Sequence, residues 1–173
     1  VDIDEGSYQQ ARENFLISPW FTRLKVFHQS FQEFADSTRN KYDLIISNPP
    51  YFHHASKPSE ESRSHARHHD QLTFEELIKG VKKIISQTGK LCVILPHKEG
   101  MEFMDIAMRN GLFCHHLMKI KTKTDGVEKR VMMEFNQHFG MMKESCMTIR
   151  EKNDSFSKEY IELTKDYYIN LEG

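Results

Sequence analysis

The stretch Tyr42 to Phe52, YDLIISNPPYF, decides the fold. Leu44, Ile45 and Ile46 form an unbroken apolar run. A strand exposed on one face would alternate polar and apolar residues. An unbroken run reads as a strand covered on both faces, hence a parallel strand of an α/β sheet. The run stops at Ser47-Asn48 and meets two prolines, which fix φ near −65° and offer no N–H. Asn48 carries a side-chain carbonyl acceptor on a short arm. The Pro49 backbone carbonyl is available as a second acceptor. Pro50 stiffens the corner, and Tyr51 adds a flat aromatic face. Together these groups suit a planar ligand that bears an NH2. Asn48 accepts one amine hydrogen, Pro49 accepts the other, and Tyr51 stacks on the ring. Such bonds strengthen as positive charge develops on the nitrogen, so they favour the transition state over the ground state.

Working outward, Ser7–Ile17 has helical spacing, with Tyr8, Ala11 and Phe15 on one face, and the Ser18-Pro19-Trp20 corner ends it. Leu24–His28 is a short strand and Phe31–Phe34 a single turn. Residues 53–71 are polar and rich in histidine, a long loop. Thr73 caps a helix running to Ile85, with Glu75 and Glu76 in its first turn. Gly89 is its stop signal. Lys90–Leu95 is a second buried strand, ended by Pro96, and Glu99–Asn110 is helical. Leu112–Lys121 and Arg130–Phe139 are two strands around the Asp125-Gly126 turn. Tyr160, Leu163, Tyr167 and Tyr168 mark an amphipathic stripe near the end. Strands and helices alternate until a hairpin. That order predicts an α/β fold with an open, mostly parallel sheet and an antiparallel hairpin at one edge. Ligands of such sheets bind beyond the carboxyl ends of the strands. Asp2, Ser30 and Asn48 all fall at predicted strand ends and are expected to line one crevice.

The 173 residues suffice for one domain, residues 1–173, with a sizeable core. Charged residues make up 28% and the net charge is −1, so overall charge predicts no polyanion partner, although a local basic patch is compatible with it. Cys92, Cys114 and Cys146 are scattered and odd in number, a pattern of reduced cytoplasmic thiols without metal spacing. No apolar run approaches the ~20 residues of a membrane span. The opening VDIDEGSYQQ lacks the basic-then-apolar order of a secretory leader. A cytoplasmic protein with no membrane partner is expected.

Asn-Pro-Pro-Tyr resembles the fourth motif of amino-group methyltransferases that use S-adenosylmethionine. Further stretches narrow the match: QARENFLISPWFTRLKV (10–26), YDLIISNPPYF (42–52), ARHHDQLTFEEL (66–77), LCVILP (91–96), KRVMMEF (129–135) and SKEYIELTKDYYINL (157–171). In this order they resemble the bacterial tRNA1(Val) (adenine-37-N6)-methyltransferase family over nearly the whole chain. The resemblance implies a Rossmann-like class I methyltransferase fold, S-adenosylmethionine as cofactor, and methylation of N6 of adenine-37 in the anticodon loop of tRNA(Val). A monomer is expected for the intact protein. It makes Asp2 the ribose ligand, with Asp4 the second choice, and puts Ser30 where the family uses an acid or amide for the cofactor adenine. Asn48, Pro49 and Tyr51 match the catalytic motif, shaped by Pro50. The family begins with a strand and a Gly-rich loop that this chain lacks, since its eight glycines are dispersed. The expectation is therefore an N-terminally truncated domain, inactive by itself, whose parent protein performs the reaction.

Phe52, Arg63, Arg67, Lys121 and Arg130 are the candidate contacts to substrate RNA. Lys119, Lys121 and Lys123 alternate along one predicted strand and so share a face, followed by Lys129 and Arg130. An ordinary solvated face is the competing reading, as a packing stripe is for the C-terminal tyrosines. The histidine-rich loop has no cysteine and no convincing ligand spacing, so no metal is expected. The motif chemistry also permits methylation of DNA adenine or of a protein glutamine. A non-catalytic RNA-binding remnant is the third alternative.

Overall fold

The structure is a computed structural model that describes residues 1–49 and 72–168. The described residues fall into two compact units, 1–41 with 72–84 and 42–49 with 85–168. Each is built separately from its own sequence. Pro50, Tyr51, Phe52, Arg63 and Arg67 lie outside the described residues, as does the histidine-rich loop.

The first unit opens with α1 (Glu5–Ile17). Asp4 caps it by accepting a hydrogen bond from Ser7 N at 2.8 Å. Tyr8, Ala11 and Phe15 are its half-buried positions, the expected stripe, and Ser18 N closes it by donating to Phe15 O. The predicted strand at Leu24–His28 reduces to one parallel bridge between Asp2 and His28. Two backbone bonds hold that bridge, Asp2 N to Phe27 O and Gln29 N to Asp2 O, each 3.1 Å. Instead of a single turn, α2 (Phe31–Ser37) forms, because Ser30 and Glu33 make a complete capping box. α3 (Phe74–Ile84) starts on the expected Thr73, whose hydroxyl accepts from Glu76 N while Glu76 Oε2 accepts from Thr73 N. α2 packs on α3, and Lys83 pairs with Asp36. Phe34, Ala35, Leu77, Ile78 and Val81 are buried.

The second unit is a five-stranded mixed sheet in the order β1-β2-β4-β3-β5. Its strands are β1 (Tyr42–Ser47), β2 (Ile85–Pro96), β3 (Phe113–Lys123), β4 (Glu128–Asn136) and β5 (Lys143–Arg150). β1 is parallel to β2, and β3 to β5; β4 is antiparallel to both β2 and β3. The α/β class stands, with a more mixed sheet than expected. The predicted hairpin exists, but β4 inserts between β2 and β3. The hairpin is thus interior, and β5, which the sequence did not announce, forms the far edge.

Two local expectations are corrected. β1 has the predicted bounds and direction but is not buried: Leu44 and Ile46 are 55% and 75% exposed. Among the described residues it is an edge strand with one open face. Gly89 does not stop a helix. α3 gives way to β2 at Ile85, and Gly89 lies inside the strand, folded against Tyr42 O.

One face of the sheet is sealed by α4 (His97–Arg109), which packs on β2, β3 and β4. Leu91, Val93 and Leu95 alternate inward from β2, and Val131, Met133 and Phe135 from β4, as a strand with one covered face requires. Phe103 meets Phe135 edge-on at 5.5 Å, with both rings fully buried. α5 (Lys158–Thr164), capped by Ser157, packs along β5 without a buried residue of its own. Among the described residues no helix is long and apolar enough to cross a membrane.

Two outcomes follow from this packing. At Gly100 a Cβ would fall within 3.0 Å of Val131 Cγ2, a short, branched and fully buried side chain. Gly100→Ala is expected to cost about 1–3 kcal/mol in urea unfolding, the range for overpacking a core. An unchanged midpoint would mean that α4 is not seated on β4 as described. The thiols should also react unequally. Burial pushes the Cys114 thiol up to about 11, and burial followed by the nearby Glu134 raises Cys92. At pH 8 only about one thousandth of Cys114 is thiolate, the reactive form. Iodoacetamide should label exposed Cys146 first, by peptide mass spectrometry. Labelling of Cys114 at the same rate would contradict this packing.

Candidate functional site

β1 positions the central residue. Ile45, Ile46 and Ser47 pair with Leu91, Cys92 and Val93, so Asn48 leaves the sheet level with Ile94. Pro49 is buried, which anchors the corner, while Asn48 stays exposed. Its side chain has no hydrogen-bond partner among the described residues. Both lone pairs of the amide oxygen and both amide hydrogens are therefore available to a ligand. Asn48 and Pro49 occupy the expected position at the carboxyl end of a parallel strand.

The same end of this sheet carries the start of α4 and the β3–β4 turn. Pro96 pairs with Arg130, Ile120 with Arg130, and Lys121 with Glu128. Arg130 is exposed and Lys121 half-buried. His97 Nε2 lies 3.4 Å from Glu128 Oε2. The shared face expected for Lys119, Lys121 and Lys123 agrees with their regular pairing to β5, but two of the three are engaged. Lys119 binds Glu144 at 2.9 Å and Lys123 binds Asp154 at 2.6 Å.

A cavity of about 280 Å³ opens on the sheet face that α4 leaves bare, lined by Ile46, Ser47, Cys92, Ile94, Met118 and Met132. It lies beside the strand end rather than beyond it. Its polar neighbours are already satisfied: His116 Nε2 is 2.8 Å from Ser145 Oγ, and Glu134 binds Lys90 at 2.9 Å. The cavity is therefore a mostly apolar wall whose one thiol, Cys92, is held protonated by burial.

In the first unit, the Asp2–His28 bridge brings Asp2 close to Ser30. Asp2 is half-buried, and its Oδ1 accepts from Asp4 N at 2.9 Å. Its other carboxylate oxygen has no partner among the described residues. A carboxylate with one oxygen fixed and one open suits a ribose diol, so Asp2 fits a nucleoside cofactor. Asp4 fits less well, because its carboxylate caps α1, and the Ser7 backbone N–H holds its pKa below the usual value. Ser30 is more committed than the sequence implied. Its hydroxyl donates to Glu33 Oε2 at 2.8 Å and accepts from Glu33 N. The Ser30 backbone N–H, followed by the hydroxyl, also draws the Glu33 pKa down. Glu33 is thus an ionised, exposed carboxylate beside Ser30 that the sequence reading passed over. The Ser-x-x-Glu spacing that announces a capping box was its visible signal. Lys98, exposed in the first turn of α4, was also passed over.

Residues 1–109 match the family model described as Eco57I restriction-modification methylase. The tRNA1(Val) (adenine(37)-N6)-methyltransferase of Trichodesmium erythraeum is 39% identical over 169 residues, covering 98% of this chain and 71% of that protein. Proteins of the same description from Bacteroides fragilis and Flavobacterium psychrophilum are 36% and 34% identical, each covering 99% of this chain and 73% of theirs. Among solved structures, a predicted O-methyltransferase from Agrobacterium tumefaciens superposes with a TM-score of 0.67 at 14% identity, over 95% of this chain and 74% of that one. The M protein of the type I restriction enzyme EcoKI gives 0.54 at 13% identity, over 99% and 40%. At such identities the structures speak for the fold, which is that of methyltransferases, while the sequence relatives speak for the family. By its similarity to these relatives over nearly its whole length, the chain belongs to the tRNA1(Val) (adenine(37)-N6)-methyltransferase family.

Proposed function

We propose that this chain supplies the amine-aligning part of its family's reaction, transfer of a methyl group to the N6 amine of adenine-37 in the anticodon loop of tRNA(Val). The observation that carries the reading is Asn48, an exposed amide at the end of β1 without partners among the described residues, backed by a buried proline. Bound S-adenosylmethionine supplies an electrophilic sulfonium methyl group. The chain's own part is to bind and align. Asn48 Oδ1 and the Pro49 carbonyl accept the two amine hydrogens, which pulls the nitrogen lone pair out of the ring and aims it at the methyl group. Both bonds strengthen as the amine becomes positive, so they act on the transition state. The amine proton is far more acidic once methylation has begun, and it leaves along one of these bonds to solvent. No side-chain base is required, and alignment supplies most of the acceleration.

Asp2 takes the ribose hydroxyls of the cofactor through its open carboxylate oxygen. Ser30, with Glu33 beside it, faces the cofactor adenine. Pro50 and Tyr51 complete the motif by shaping the corner and stacking on the base. Phe52, Arg63, Arg67, Lys121 and Arg130 contact the RNA. An unpaired loop base is cheaper to extrude than a paired one, and loops are where RNA sequence is usually read. A cytoplasmic, monomeric enzyme without metal completes the reading.

Asn48→Ala, made in the full-length protein, is expected to lower kcat on an unmodified tRNA(Val) transcript about 10²–10³-fold, the loss seen when one preorganised polar contact is removed. Its affinity for S-adenosylmethionine by calorimetry should hold within about twofold. A variant that keeps more than about a tenth of kcat removes Asn48 from the chemistry. Asp2→Ala should do the reverse, weakening cofactor binding about 10–100-fold, the worth of a charged hydrogen bond. Its affinity for tRNA should not change. Tritiated methyl transfer offered tRNA, DNA and a glutamine-bearing release factor in parallel tests the substrate. Label in DNA or protein alone overturns the tRNA reading, and a full-length protein that binds RNA but shows no S-adenosylmethionine binding by calorimetry favours a non-catalytic remnant.

A further inference from the structure

Sorting the cations of the second unit by their partners separates two groups. Lys90, Lys119, Lys123, Lys152 and Lys165 each bind a carboxylate. Arg150 lies 4.2 Å from the centre of the Phe156 ring and donates to Asp154 O. Lys98, Lys121, Lys129 and Arg130 have no carboxylate partner among the described residues, and three of the four are exposed. The strand pairing gathers these four at one end of the sheet. Pro96 lies opposite Arg130, so the first turn of α4, with Lys98, starts beside it. Arg130 lies opposite Ile120, next to Lys121, and Lys129 fills the register shift between them. The row crosses three strands spaced ~4.8 Å apart, roughly 10–15 Å in all. It lies at the same end as Asn48. Asn48 stands two strands from Arg130 and about two residues lower, roughly 12 Å away on the same geometry. Arg109 and Lys143 also lack a carboxylate partner among the described residues, but they sit at the opposite end, in the last turn of α4 and at the start of β5; Lys158, the first residue of α5, lacks one too and stands outside the row.

Cations left without protein partners in a row are available to an extended polyanion. The neighbouring acid Glu128 faces His97, which leaves the row net positive. We infer that Lys98, Lys121, Lys129 and Arg130 form a rim that grips consecutive phosphates of the RNA strand whose base reaches Asn48. The inference rests on the methyl-transfer reading for the identity of the RNA, and adds Lys98 to the basic residues read from sequence. The rim sets where the strand lies; Asn48 sets which atom reacts. Phosphate contacts of this kind fix register and carry no base specificity themselves.

The test is binding of an unmodified tRNA(Val) transcript to the chain without cofactor, by fluorescence anisotropy between 50 and 200 mM salt. Each neutralisation, K98Q, K121Q, K129Q or R130Q, is expected to weaken binding about 3–10-fold and to lower the salt slope by about 0.7–0.9, one released counterion. The far-end variants R109Q and K143Q and the paired-lysine variant K119Q should stay within about twofold of the parent. Thermal unfolding of every variant separates lost binding from lost fold. In methylation, the rim variants should raise KM for tRNA and leave kcat and cofactor affinity unchanged. Equal losses at rim and far-end positions overturn the inference, as does binding of the unaltered chain that is insensitive to salt or absent. Polyglutamate of matched charge should not displace the RNA; displacement at equal charge would overturn the RNA assignment in favour of an acidic protein. RNA binding through the rim by a full-length protein that transfers no methyl group would sink the catalytic reading and leave the rim standing.

Discussion

The parallel register of β1 on β2 is the constraint on which the second unit depends. It is set by an uneven count: Tyr42 pairs with Ile85, and two residues later Leu44 pairs with Lys90. The extra residues of β2 must fold back against β1 without widening the ladder. Gly89 permits this, because a Cβ there would fall 2.7 Å from Tyr42 O and 2.7 Å from Ile85 Cγ1. Backbone cannot yield to such a contact as the tip of a long side chain can. With the fold-back in place, Ile45, Ile46 and Ser47 run beside Leu91, Cys92 and Val93, and Asn48 emerges at the level of Ile94. A slip of one residue would turn every side chain of β1 to the other face and move Asn48 by ~3.3 Å along the sheet. The candidate chemistry therefore depends on a residue with no chemistry of its own.

The same register explains what the sequence could and could not disclose. Asn48 was legible because its signal is local, an apolar run cut short by an amide and two prolines. The bounds of β1 were legible for the same reason. Its burial was not, since an apolar run reports that a strand can be covered and not whether its neighbours cover it. Gly89 misled because a glycine beyond a helical pattern usually caps the helix, and only the pairing with Tyr42 reveals its other use. KESCMTIR, which forms β5, alternates weakly and has charged ends, so its strand character comes from β3 rather than from itself. Ser30 was placed by its position after a strand. Its bond to Glu33 three residues on obeys a helix-start rule that the strand reading obscured. Lys98 carried no signal, because its meaning depends on Pro96 lying opposite Arg130.

The cations also show why counting lysines along a strand is a poor guide to an interface. Lys119, Lys121 and Lys123 are equivalent by alternation, yet the outer two are held by Glu144 and Asp154, from a neighbouring strand and a later loop. Engaged ion pairs at an exposed surface contribute little to stability, with a median of about 0–1 kcal/mol. Their larger effect here is to remove charge from the surface that a polyanion would meet. Sequence shows where charges are, and the fold decides which of them remain to be used.

Separating grip from chemistry has an electrostatic consequence. Methyl transfer makes the amine nitrogen positive, and a cation close to it would oppose that charge. At the roughly 12 Å estimated between Asn48 and Arg130, two unit charges in water repel by only about 0.35 kcal/mol, before screening over a Debye length of ~8 Å. At 4 Å the same pair would repel by about 1 kcal/mol in water and about 4 kcal/mol near a protein surface. A rim set two strands away can thus hold phosphates, whose own charges it neutralises, with little effect on the barrier. A neutral amide at position 48 fits the same scheme. A carboxylate there would also accept from the amine, but it would need neutralising when the RNA phosphates arrive, and the nearest means of doing so is the row of cations that the RNA requires.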